Sequence, residues 1–226
     1  VKPFNQSTST KLFDEQLSKT KRKLFISPTE KSFLLQIGGG YPLFLQMIGH
    51  HLIDLKLQGL SGEKLLKQSI KAFEADAYPH FRYFWQHCSD SEKITLLSIM
   101  ILNQQERSGS NTTTVEALKT INSHAYLDIS ALSRRGLLVE KGSTYYVFSP
   151  AFISWIIHEI STLSLQEEDM TQAELWLKER RHSKSQEKKE ALSSFKKEYW
   201  PMIAKILIQV SAEEVTKTVL NLLLTP

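Results

Sequence analysis

Few residues in this chain could do chemistry, and most sit at spacings where the chemistry fails. His50 and His51 are adjacent, so on a helix their rings point about 100° apart and cannot hold one metal ion together. His87-Cys88 has no further ligands at zinc-finger spacing. Both pairs read as ordinary helix-surface or core residues. The sequence contains no Gly-x-Ser-x-Gly elbow, no His-Glu-x-x-His pair and no Gly-x-x-x-x-Gly-Lys-[Ser/Thr] loop to cradle phosphates. The chain is therefore expected to be non-catalytic, with no metal site and no cofactor of its own. What remains is Gly38-Gly39-Gly40-Tyr41-Pro42. Glycines here either cap one helix before proline starts the next, or bring bare backbone against a ligand.

The elements around that stretch are mostly helical. Ser27-Pro28-Thr29-Glu30 is a capping box with proline at the first helical position, and Gly38 stops the helix it opens. Before it, Ser7 to Lys19 carries Leu12, Phe13 and Leu17 at helical spacing and ends in the basic run Lys19-Thr20-Lys21-Arg22-Lys23, which reads as a solvated loop. After it, Pro42 to Leu57 reads as a helix with Leu43 and Met47 among the residues marking its faces. Ser61 caps another, through Leu65, Leu66, Ile70 and Phe73 into the aromatic cluster Tyr78, Phe81, Tyr83, Phe84 and Trp85.

From Ser89 the pattern changes. Helices are expected from Ser89-Asp90-Ser91-Glu92, over Thr114 to Ile121 and over Ala125 to Arg135. Leu137 to Glu140 and Tyr145 to Phe148 follow as strands about a tight turn at Lys141-Gly142-Ser143. Ser149-Pro150 then opens a helix burying Phe152, Trp155, Ile156 and Ile160. Three helices and a hairpin in this order make a winged helix. Beyond residue 165 the sequence becomes charge-dense, with Leu192, Phe195, Tyr199, Ile203, Ile206 and Val210 forming one apolar stripe. The fold class is mainly α: a helical bundle at 1–86, a winged helix at 87–164 and a helical appendage at 165–226.

The stretch "FLLQIGGGYPLFLQMIGHHL", followed by "ALSRRGLLVEKGSTYYVFSPAFISWI", resembles the lid and winged-helix parts of the AAA+-like signalling ATPases called STAND NTPases. The resemblance covers residues 1 to about 164 and leaves the tail uncovered. It implies that Gly40, Tyr41 and Pro42 lie against the adenine of ATP or ADP in a longer parent protein, whose N-terminal P-loop domain is the partner of this part. The chain starting at Val1 and stopping after Leu222-Leu223-Leu224-Thr225-Pro226 fits a fragment. Related receptors carry a histidine after the wing's return strand, where it reaches the nucleotide. Here the matching stretch is Phe148-Ser149-Pro150, and Ser149 reads as a helix N-cap. The implied role is regulatory: a two-state domain rearrangement biased by ADP or ATP.

Two other classes stay open. A DNA-binding transcription regulator would use Arg134, Arg135 and Lys141, on a third helix expected to expose Asp128, Ser130 and Ser133 as well. The charge disfavours it. The net +4 comes from residues 1–86, with 12 Lys/Arg against 7 Asp/Glu, whereas residues 87–164 hold 6 against 7. A protein-interaction adaptor would use the stripe Leu192 to Val210, binding a protein partner or a second copy. One cysteine, no window near 18 apolar residues and no signal-peptide core place the chain in the cytoplasm and off the membrane.

Overall fold

The computed structural model describes residues 3–19, 24–107, 118, 125–142 and 144–164. Within them lie seven helices and one two-stranded antiparallel sheet: α1 Gln6–Lys19, α2 Pro28–Gly38, α3 Pro42–Leu57, α4 Gly62–Gln86, α5 Asp90–Arg107, α6 Ala125–Arg134, β1 Leu138–Lys141, β2 Thr144–Val147 and α7 Pro150–Ser164. The expected helix over Thr114 to Ile121 and the stripe Leu192 to Val210 lie outside the described residues. Leu118 is described, and it is helical and buried. No described helix is long and apolar enough to cross a membrane.

Local signals set the helix starts. In α2 the Ser27 hydroxyl accepts from the Glu30 amide while the Glu30 carboxylate accepts from the Ser27 amide, completing the capping box. Ser89 and Glu92 do the same for α5. Each of these glutamates has a second partner far along the chain. Glu30 takes Lys56 Nζ at 2.5 Å, pinning the end of α3 to the start of α2, and Glu92 takes the Arg135 guanidinium at 2.5 Å, pinning the end of α6 to the start of α5. Burial alone would raise the Glu30 carboxyl. The Lys56 and Ser27 bonds outweigh it and hold the group below its ordinary value.

Helix α4 presents Leu65, Leu66, Ile70, Phe73, Ala77, Phe81 and Trp85 on one face, with Pro79 inside its span but off that stripe. Against it pack α3, through Phe44, Ile48 and Leu52, and α7, through Phe152, Trp155 and Ile156. In α3 the buried face is Phe44, Leu45, Ile48 and Leu52, while Leu43 is 45% exposed. The strands pair Leu138 with Val147 and Lys141 with Thr144. This is one residue later on the first strand and one earlier on the second than expected, with Gly142 at φ +65° where the first strand ends. The core runs without a break from Phe13 in α1 to Ile156 in α7, across the boundary expected at residues 86 and 87.

One ionisable group is caught between α4 and α7. Burial pushes the Glu74 carboxyl up to about 7, against a bond with Ser154 that pulls the other way. Folding therefore favours the protonated form. Its contribution to stability is full below the ordinary 4.5, falls as pH rises toward about 7, and is flat beyond. Glu74→Gln keeps a hydrogen-bonding group without the charge. Thermal melts across pH should show the variant matching wild type at pH 4 and exceeding it at pH 8, with the difference growing between those limits.

Candidate functional site

Each residue of Gly38-Gly39-Gly40-Tyr41-Pro42 has a separate steric or hydrogen-bonding task. Gly38 ends α2 with no room for a side chain: a Cβ there would sit 2.6 Å from Leu45 Cδ2 of α3. Gly39 and Gly40 turn the chain with φ of +57° and +78°, which glycine adopts without strain. Tyr41 is the N-cap residue of α3 in extended conformation, and Pro42 opens the helix where no amide partner is needed. The left-handed Gly39 cap closes α2, with its amide on the Gln36 carbonyl.

The end of α2 is finished by a residue 112 positions away. Ile37 carries one of the last carbonyls of α2, and the buried Ser149 hydroxyl donates to it at 2.7 Å. The same hydroxyl accepts from the Ala151 amide at 3.2 Å, capping α7. One side chain thus serves the C-terminus of one helix and the N-terminus of another. Ser149 is an N-cap, as its place before Pro150 suggests, and it also clamps α2.

Beside it, Phe148 covers Gly39 so closely that a Cβ on that glycine would meet both the Phe148 ring and its carbonyl oxygen at 2.5 Å. The Phe148 ring contacts Tyr41 edge-on at 4.9 Å, Phe44 at 6.1 Å and Phe152 at 5.3 Å, linking the rings of α3 to those of α7. Tyr41 is buried in this cluster and donates its hydroxyl to the Arg135 carbonyl at 2.8 Å. Burial raises its phenol to about 12, so it stays a donor at any ordinary pH. The stretch is therefore a joint between the N-terminal helices and the hairpin part of the molecule. Of Gly40, Tyr41 and Pro42, the first two are buried and Pro42 is partly exposed.

The residues considered for nucleic acid differ in what they touch. Arg134 is exposed. The half-exposed Arg135 guanidinium donates to Glu92, to the His87 carbonyl at 2.9 Å and to the Ala131 carbonyl at 3.5 Å. Lys141 lies over the Tyr146 ring at 5.6 Å. Asp128, expected on the exposed face of α6, is instead buried and accepts from Ser91 at 2.6 Å and Thr95 at 2.9 Å. Ser133 has a buried hydroxyl. Ser130 is exposed, next to Tyr126 and Leu127, which are 65% and 64% exposed. Sequence reasoning did not single these two out. His50 pairs with Asp54 and His51 with Asp76 at 2.8 Å, and no group of three or more His, Cys, Asp and Glu among the described residues is placed to hold a metal ion. Cys88 is buried, its thiol pushed up to about 11 chiefly by burial, which leaves it a poor nucleophile.

Comparison with protein-family models, with curated proteins and with solved structures gives no match for this chain.

The joint sets an order of sensitivities. Phe148→Ala empties the centre of the ring cluster and should cost about 3–5 kcal/mol. Ser149→Ala strands a buried carbonyl and an amide, at roughly 2–3 kcal/mol. Tyr41→Phe loses one hydrogen bond, at about 1 kcal/mol. Urea denaturation should rank them so, with the exposed Ser130→Ala near zero. A Ser149→Ala cost no larger than that of Ser130→Ala would contradict the shared-cap account.

Proposed function

We propose that this chain is a non-catalytic, regulatory and nucleotide-sensing portion of a STAND-like signalling ATPase, with residues 1–86 as its lid and 87–164 as its winged helix. It acts by domain rearrangement and protein–protein contact. A P-loop domain earlier in the parent protein would hold the phosphates of ATP or ADP. The carrying observation is the joint. The backbone turn that would meet the adenine is the same turn that Phe148 covers and Ser149 clamps, so a shift at Gly40-Pro42 reaches the winged helix through two covalent neighbours. Because the lid and the winged helix share one core, the two-state motion places its hinge ahead of them and moves them together.

The burial of Tyr41 refines the contact. Its ring belongs to the core, so the face left for a base is that of Pro42 with the exposed Leu43 beside it. DNA reading is the weaker proposal. Arg135 is tied to Glu92, and the outward face of α6 carries Tyr126 and Leu127, where phosphate neutralisation would need cations.

Backbone chemical shifts of the chain, titrated to millimolar ADP or adenosine, test this reading. The amides of Gly40, Tyr41, Leu43 and Phe44 should move with both ligands alike, since the sequence has no P-loop to hold phosphates. No movement at these amides with either ligand would overturn the nucleotide role. A duplex of defined sequence that shifts Arg134 and Lys141, and loses affinity in Arg134→Ala, would replace it with the DNA-binding one.

A further inference from the structure

The joint is closed from outside by a piece of chain that neither helix capping nor the core requires. Ahead of α1, the Phe4 amide donates to the Gly40 carbonyl at 2.7 Å. A Cβ on Gly40 would collide with the Phe4 carbonyl and come within 3.2 Å of Pro3 Cβ. On the other side, a Cβ on Gly136 would run into Pro3 Cδ and lie 2.7 Å from the Tyr41 hydroxyl. Gly40 and Gly136 both have positive φ, +78° and +76°. The chain therefore crosses a slot whose two walls are bare glycine backbone, one wall from the turn between α2 and α3 and the other from the turn after α6. Asn5 then caps α1, with Oδ1 accepting from the Thr8 amide at 2.8 Å.

We propose that Pro3–Phe4 is a releasable strap, which locks the joint when seated and bares the Gly40 carbonyl and the Tyr41 edge when lifted. Its attachment differs in kind from what lies beneath. Among the described residues the strap is held by one backbone hydrogen bond and one proline ring, and its Phe4 side chain is 39% exposed. The joint below is held by the buried rings of Tyr41, Phe44 and Phe148 and by the buried Ser149 hydroxyl. A segment with few buried contacts opens locally at a free energy well below that of the whole molecule. The strap therefore lifts while the core stays packed. It touches both walls at once, so its position reports on, and constrains, the one place where the helical part and the hairpin part meet. In a parent protein of the kind proposed above, it would be the first part of this chain to feel a rotation of a preceding domain. That use rests on the functional reading, whereas the strap itself does not.

Amide exchange of the full chain tests the strap directly. The Phe4 amide should exchange about tenfold more slowly than in an unstructured peptide, the factor an ordinary net hydrogen bond gives, and faster than the Ile48 amide of the core. Pro3→Gly, which removes the ring and introduces no clash, should bring Phe4 to the unstructured rate while Ile48 is unchanged. Gly136→Ala should also deprotect Phe4 by steric exclusion of Pro3, and because its Cβ also meets the Tyr41 hydroxyl, the Ile48 rate shows whether the joint below stays packed. Gly142→Ala is its control, since Gly142 has φ +65° with nothing within 4 Å of a Cβ, and should leave Phe4 protected. The proposal fails if wild-type Phe4 exchanges at the unstructured rate, if Phe4 and Ile48 open only together, or if Pro3→Gly leaves Phe4 protection intact. Equal Phe4 rates in the two glycine variants would also overturn it, by reducing the slot to backbone strain.

Discussion

A single buried hydroxyl holds two helix ends at once, and much of the arrangement follows from it. A helix leaves its last carbonyls and first amides without internal partners, and a buried end must find them elsewhere. Here Ser149 gives its proton to Ile37 at the end of α2 and accepts from Ala151 at the start of α7. Residues distant in sequence can be joined this way only if the hairpin delivers its last residue to the α2–α3 turn. It does so through the pairing of Leu138 with Val147 and the Phe148 amide on the Leu137 carbonyl at 3.1 Å. Phe148 is then fixed over Gly39, where only a glycine leaves room for it.

Packing and charge reinforce the same alignment. Phe148 contacts Tyr41, Phe44, Phe84 and Phe152, so the rings of three helices meet at one strand end. The Arg135 carbonyl takes the Tyr41 hydroxyl while its guanidinium takes Glu92 and the His87 carbonyl, so one residue links α3, the α4–α5 corner and α5. An arginine engaged this way is committed to contacts inside its own chain.

What could be read from the sequence was local, and what could not was long-range. The capping boxes at Ser27 and Ser89 were legible because both partners lie within four residues, but nothing in either box signals that Glu30 will also take Lys56 or Glu92 take Arg135. Asp128 looked like a surface residue of an amphipathic helix. Its burial depends on hydroxyls at Ser91 and Thr95, more than thirty positions earlier. The buried face of α3 was not legible because "PLFLQMIGHHLIDL" is apolar nearly all round, so periodicity alone does not choose between Leu43 and Phe44. The Gly38–Pro42 stretch was recognised as special, and its two candidate uses, hinge or ligand surface, could not be separated without seeing Phe148 and Pro3. A collision with a residue a hundred positions away leaves no trace in local pattern.

The central claim is that the helical part and the hairpin part are one cooperative body joined at Ser149 and Phe148. Residue-resolved urea unfolding, followed through the amides of Leu34 in α2, Leu52 in α3, Leu132 in α6 and Val147 in β2, tests it most directly. The account predicts one midpoint and one slope for all four. Loss of the Leu132 and Val147 signals at lower urea, with Leu34 and Leu52 still folded, would contradict it.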